Sequence, residues 1–393
     1  KVYGRLRAFK AQADRLVACE LGKNDDLEVL DLMMNKISEL NLTQLPNLRE
    51  LSVTNNKLTS IDLGYLKKLQ QFYGSYNKVG KLDTSKNPDL EVLACAAMGL
   101  TELDLSKNAK LENLTAGKNN YATFPDLSNK TSMKWIDMED CGMKGFDATI
   151  FPKLKFLDLS GNRLTNIDLS KNSLLRKLDL DNNQMDACAI NDILFTLPKV
   201  QKEDEATLQI KGNTGSGTCD NTLLEGKNWN MNVTGDGSGC NTVRLRFEEN
   251  IQGTFKTIVD GKDIPEWTPI EKGKEVKIEA SPIKGYKLVK TMLNGEDVTA
   301  NKFKIQQYGV LAAVFDVDNG IRDTQAETVR VGRHNGNIVV MGLQAEKNYS
   351  IYDVSGKLLH IGITNANGDA VISLPAGHLI IIKQEHLVIK VRR

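Results

Sequence analysis

The chain has 393 residues, enough for two or three domains with a sizeable core. Its 51 Lys and Arg balance 50 Asp and Glu for a formal charge of +1, which argues against nucleic acid as the main partner and against a basic membrane-surface protein. No apolar run approaches the roughly 18 residues of a spanning helix, and Lys1 opens no secretory leader; for an exported chain the expectation is a signal segment removed before Lys1.

In chain order, Val2, Leu6, Phe9, Ala13, Leu16 and Val17 recur at helical spacing and predict an N-terminal helix over residues 2–17. A repeat then begins. Leu27, Leu48, Leu69, Leu90, Leu111, Met133, Leu154 and Leu175 fall in one column, 21 residues apart with a single step of 22, which is the period of a solenoid. One such unit cannot bury its apolar side, whereas stacked units share a continuous core whose two ends need caps. The N-terminal helix is the predicted first cap. Each L-x-x-L-x-L reads as a short strand with alternate side chains inward, and the short remainder of each unit suits extended or 3₁₀ segments. Eight residues after the column leucine stands Asn35, Asn56, Asn77, Asn119, Asn162 or Asn183. The amide can satisfy backbone groups left unpaired where the chain turns. Met98 and Cys141 occupy that position in two units, so local adjustment or a water is predicted there.

"AINDILFTLP" reads as a helix stopped near Pro198, and "ATLQIKGN" and "NWNMNV" as closing strands, so this part ends near Cys240. Cys19, Cys95, Cys141 and Cys188 sit in apolar patterns and read as buried thiols. Cys219 and Cys240 flank a Gly/Ser/Asn-rich stretch with little core of its own, and a disulfide between them is predicted.

From 241 to 317 alternation replaces the repeat, as in Val243, Leu245, Phe247 and Val276, Ile278, Ala280. Asp260-Gly261 and Asn294-Gly295 are hairpin signals. A small all-β spacer module over 241–317 is expected. Residues 318–328 read as a polar linker, and 329–393 as a C-terminal β-sandwich with a Ser355-Gly356 turn. The fold class is thus a β-dominated multidomain chain: about eight 21-residue repeats with a helical N-cap over 1–240, then two small all-β domains.

The units "LTNIDLSKN", "LTELDLSKN" and "LEVLDLMMN" resemble bacterial leucine-rich-repeat surface proteins over residues 27–200. That resemblance implies a right-handed curved solenoid with a parallel sheet on its concave face. The order "GYKL", "NGEDV", "VFD" is similar to β-rich spacers of bacterial surface proteins. "IYDVSGK", "LPAG" and the basic end resemble the sorting domain of the type IX secretion system of Bacteroidetes, except that "HLIII" follows the "LPAG" glycine where that family has an aromatic.

Several chemistries are excluded. All four histidines, His334, His360, His378 and His386, lie in the last sixty residues, so no Ser-His or Cys-His nucleophile and no histidine-rich zinc site forms on the solenoid. Asp179-x-Asp181-x-Asn183 starts like a calcium loop, but Gln184 and Ile190 occupy the positions that need Gly and Glu. No Gly-Lys pair is followed by Ser or Thr, so there is no P-loop. No metal and no cofactor is expected.

A binding role remains. With the leucines inward, the intervening residues face solvent on the sheet: Tyr73, Tyr76, Trp135, Asp137, Glu139, Asp140, Phe156, Asp158, Asp179 and Asp181. A lone Asp in "LDLS" ordinarily solubilises an exposed sheet, and Tyr or Trp can rest on neighbouring strands. An exposed Trp135 beside Phe156, ringed by acids, is instead the kind of anchor that binding surfaces use. The expected protein is a non-enzymatic, secreted or surface-exposed recognition or adhesion protein that holds a protein or glycan on the concave face. The alternatives are a carbohydrate-active enzyme using paired concave carboxylates and a purely architectural surface protein.

Overall fold

The computed structural model describes residues 5–248, 250, 252–283, 286–317, 330–334, 337–341, 343–353, 358–372, 380–384 and 387–391. The chain divides into two compact units, Lys1–Cys240 and Asn241–Arg393.

In the first unit every coil contributes one very short strand to a single sheet. The strands are β1 (Ala8–Lys10), β2 (Val29–Asp31), β3 (Glu50–Ser52), β4 (Gln71–Tyr73), β5 (Val92–Ala94), β6 (Asn113–Thr115), β7 (Trp135–Asp137), β8 (Phe156–Asp158), β9 (Lys177–Asp179), β10 (Thr207–Gln209) and β11 (Asn230–Met231). All eleven are hydrogen-bonded in chain order, and every pairing is parallel. The register is strict: Leu30, Leu51, Phe72, Leu93, Leu114, Ile136, Leu157 and Leu178 form one column of central residues. Each is at most 1% exposed. Full burial of such side chains contributes about 1.5–3 kcal/mol each, and it can occur only because the neighbouring coils cover them.

Two expectations are corrected at the N-terminus. The described part of residues 2–17 holds β1, not a helix, and β1 pairs Phe9 with Leu30. The eight column units therefore lie within an eleven-stranded sheet, with β1 before them and β10 and β11 after. The edge of β2 explains the outcome. A helix would leave its backbone groups unpaired, whereas the extended chain lets Ala11 N donate to Asp31 O at 2.8 Å and offers Ala11 O to Asn35 Nδ2 at 2.7 Å. Ala13 and Arg15, at φ 57° and 58°, cannot continue a helix.

The asparagine ladder forms as the repeat predicts. Asn77 Nδ2 donates to Val53 O and Gly74 O, while its Oδ1 accepts from Leu58 N on the preceding coil. Just before it, each coil passes through the left-handed region, at Met34, Asn55, Tyr76, Ala97, Lys118, Asp140, Gly161 and Asn182. The asparagine thus ties two coils together at the point where the chain leaves the sheet.

The only α-helix among the described residues, α1 (Ala187–Thr196), follows β9. Asp186 caps it by accepting from Ala189 N at 2.8 Å. Here the predicted disulfide is corrected: Cys240 is bonded to Cys188, on the first turn of α1, and Cys219 is a buried free thiol. Packing dictates the choice. A Cβ on Gly239 would lie 2.6 Å from Ala187 Cβ, so the chain runs against the start of the helix immediately before Cys240. Cys219 points inward, its Sγ 3.4 Å from Ser216 O.

In the second unit the two hairpin signals are realised. Strands β12 (Gly253–Val259) and β13 (Lys262–Ile264) pair antiparallel around Asp260-Gly261, and β14 (Tyr286–Leu293) and β15 (Glu296–Asp297) around Asn294-Gly295. All four turn residues have positive φ, the type I′ requirement. Among the described residues, further strands lie at Arg330–His334, Asn337–Met341, Asn348–Asp353, Leu358–Ile363, Ala370–Ile372, Ile380–Gln384 and Leu387–Val391, and the Tyr286 hydroxyl reaches Asp369 Oδ2 at 3.0 Å. The 318–328 linker, the Ser355-Gly356 turn, the "LPAG" motif, His378 and His386 lie outside the described residues.

Candidate functional site

Alternation on a three-residue strand sends the central side chain into the core and both flanking side chains to the opposite face. On β7, β8 and β9 the first flanking position holds Trp135, Phe156 and Lys177, and the last holds Asp137, Asp158 and Asp179. Because the register is strict, each trio forms a column. Trp135 and Phe156 stack with ring centroids 3.5 Å apart and planes 7° from parallel. Trp135 remains 41% exposed, so the pair is an aromatic platform with an open side.

The aspartates first serve the backbone. The Oδ1 atoms of Asp137, Asp158 and Asp179 accept from the N–H two residues on, of Glu139 (3.2 Å), Ser160 (2.9 Å) and Asp181 (3.0 Å). Asp31 does the same for Met33 at 3.2 Å. These donors stand where the strand ends and the ladder no longer reaches them, which is why "LDLS" recurs. Beyond that role, Asp179 Oδ2 accepts from Gln209 Nε2 at 2.6 Å. Asp181 Oδ1 accepts from Lys211 N at 2.6 Å and from Asn232 Nδ2 at 2.9 Å. Glu139 pairs with Lys118 at 2.9 Å.

Stacking acids in one column has an electrostatic cost. Burial pushes the Asp137 carboxyl up to about 6, aided by repulsion from Asp158 and Glu139 and opposed by the hydrogen bond from Glu139 and by Lys118. Asp179 is likewise pushed up to about 6 by burial, with Asp158 and Asp181 adding repulsion. Asp158 is raised for the same first reason, while Ser160 holds it back. An aromatic platform flanked by carboxylates can stack on a flat or apolar group and accept hydrogen bonds or a cation at its rim.

Not every predicted residue joins this patch. Trp135, Asp137, Glu139, Phe156, Asp158, Asp179 and Asp181 gather around β7–β9. Tyr73 lies on β4, three strands away, with its hydroxyl donating to Gln71 Oε1 at 3.0 Å. Tyr76 and Asp140 sit on the left-handed turn positions, off the strands. Two contributors escaped the sequence reading. Lys118 lies on that same turn column and was legible from the repeat frame. Gln209 follows Asp179 by 30 residues because α1 is inserted between their strands, and this broke the 21-residue frame.

Residues 47–69 and 153–174 match the family model described as Leucine Rich Repeat. No curated protein matches the chain. Among solved structures, the chain is similar to the functional domain of InlJ from Listeria monocytogenes, at 18% identity and a TM-score of 0.47, over 92% of this chain and 67% of that one. A leucine-rich-repeat protein from Leptospira interrogans matches at 21% identity and a TM-score of 0.42, over 54% of this chain and 67% of the other. YopM from Yersinia enterocolitica matches at 21% and 0.38, over 58% and 53%. The chain therefore carries leucine-rich repeats, stacked as a parallel β-solenoid of eleven strands. No helix among the described residues is long and apolar enough to cross a membrane.

Proposed function

We propose that the chain is a non-enzymatic recognition protein of the bacterial surface or secreted milieu, whose solenoid sheet holds a protein or glycan ligand. The observation that carries this reading is the Trp135–Phe156 stack, left open to solvent beside the column Asp137, Asp158 and Asp179. Large exposed rings cost solubility and add little to the core, so their retention is best explained by a partner that covers them. In this reading residues 241–317 are a spacer module and 329–393 a sorting-domain-like sandwich that takes the protein out of the cell.

The test is a binding screen of the full chain against arrays of glycans and of surface proteins, run in parallel with Trp135→Ala. A ligand whose affinity falls at least about tenfold in the variant, or about 1.4 kcal/mol, with melting behaviour nearly unchanged, supports the reading. The reading is removed if no ligand in the screen depends on Trp135, Phe156 or Asp158. The rival reading, hydrolysis of a glycan, has one observation in its favour: the register sets the carboxyls of Asp137, Asp158 and Asp179 side by side on successive strands. Chain shortening of any bound glycan in the same screen separates the two.

A further inference from the structure

Each coil, after its left-handed residue and its ladder asparagine, presents one more exposed position. On three successive coils that position is lysine: Lys36, Lys57 and Lys78. Lys57 N donates to Ile37 O and Lys78 N to Leu58 O, both at 2.9 Å. The lysines therefore emerge from adjacent coils about 4.8 Å apart. Among the described residues none of the three ammonium groups is ion-paired, whereas the nearby Lys81 and Lys118 are tied to Glu102 and Glu139. Three like charges in register repel, and nothing within this ladder offsets them.

The ladder ends at a depression. On the next coil Ala97, Met98 and Gly99 replace Tyr76, Asn77 and Lys78, and an open, shallow cleft lies there, bordered by Lys57, Tyr76 and Lys78. A Cβ on Gly80 or Gly99 would touch nothing, so the space beside them is open. Tyr76 is held at φ 59° and is 50% exposed. The left-handed turn is common to every coil, and on this one it turns a large ring out to solvent rather than into the core.

Cations at regular intervals suit a polymer with recurring negative charges, and an exposed phenol beside a small-residue floor suits the face of a sugar ring. We propose that this cleft binds an acidic polysaccharide, with Lys57 and Lys78 pairing its sulfate or carboxylate groups and Tyr76 stacking on a pyranose ring. The site is separate from the Trp135–Phe156 platform and does not depend on it.

The experiment is calorimetric titration of the full chain with a heparin-derived octasaccharide over a series of salt concentrations. Binding by the wild type is expected to weaken roughly tenfold in Lys57→Gln/Lys78→Gln, with the log–log salt slope smaller by about one per lysine removed. Ala97→Met fills the cleft without changing charge, at a column position where Met34 already stands; it is expected to weaken binding roughly fivefold, the loss of ring contact. Trp135→Ala is expected to bind as the wild type. Absence of binding by the wild type, undiminished binding by the double lysine variant, or equal affinity for polyglutamate or a single-stranded oligonucleotide of matched charge overturns the proposal.

Discussion

Asn119 accepts hydrogen bonds from the backbone N–H groups of both Met98, at 3.1 Å, and Leu100, at 3.0 Å, one more than the ladder asparagine of a regular coil accepts. Asn162 treats Cys141 and Met143 in the same way. The adjustment expected at the two irregular turns is thus made by the following coil. Asn56, in a regular stretch, accepts only from Ile37 N and donates to Leu32 O and Val53 O. Asn119→Ala strands one buried donor more than Asn56→Ala, and should cost about 1–3 kcal/mol more. Urea midpoints of the two variants measure the difference; equal losses would show that Met98 N is satisfied otherwise.

Trp135 and Ile136 are adjacent on β7 but serve opposite sides of the sheet, one 41% exposed and the other fully buried. Ile136→Ala should cost about 2–5 kcal/mol, because the coils on either side cannot collapse into the cavity. Trp135→Ala should cost less, about 1–2 kcal/mol, from its stack on Phe156 and the covered part of its ring. Chemical denaturation of both variants checks this, and a Trp135→Ala loss as large as that of Ile136→Ala would assign the tryptophan to stability.

What the sequence made legible, and what it hid, follows from how far each feature repeats. The central column from Leu30 to Leu178 and the ladder asparagines recur on nearly every coil, so their positions could be read by alignment of the chain on itself. The stacking of Trp135 on Phe156 followed from the same frame, since residues 21 apart lie side by side when the strands pair in register. Features that occur once were missed. The apolar residues of 2–17 carried a helical period, yet the unpaired edge of β2 decided their conformation. The cysteine pairing turned on how closely Gly239 approaches Ala187, which no spacing reveals. Tyr76 stands seven residues after Leu69, out of phase with the alternation at two, four and six; counting it with the sheet residues carries the strand past its end, where the chain has already turned through positive φ.

The Cys188–Cys240 bridge fastens the last segment of the first unit to the start of α1 across a separation of 52 residues. Closing a loop of that size contributes about 2–4 kcal/mol, chiefly by restricting the unfolded chain. Cys240→Ser should lower stability by that amount in non-reducing buffer, and Cys188→Ser by the same, since each removes one bond. Cys219→Ser should not change the disulfide content. Peptide mapping of the unreduced protein checks the pairing directly, and a Cys219–Cys240 peptide would contradict it.

The carboxylate column makes stability depend on pH in a direction opposite to that of most acids. Asp137 and Asp179 are pushed from 3.8 up to about 6, and Asp158 is raised as well, chiefly by burial. Between those two values the folded chain binds more protons than the unfolded one. The stability these groups contribute is fully present below about 3.8 and lost as pH rises through about 6. Asp83, Asp104, Asp126 and Asp236 are held below 3.8 by the serine two residues on, so they lose their contribution only at lower pH, outside this window. Asp137→Asn/Asp179→Asn keeps an oxygen for the N–H two residues on but removes the titration and the repulsion. The variant should therefore melt higher than the wild type at about pH 7.5 and show a smaller rise in Tm on acidification to about pH 4.5. Scanning calorimetry of both proteins at the two pH values measures this, with groups common to both cancelling in the difference; Tm profiles that run parallel would mean that the column is neither buried nor coupled enough to matter.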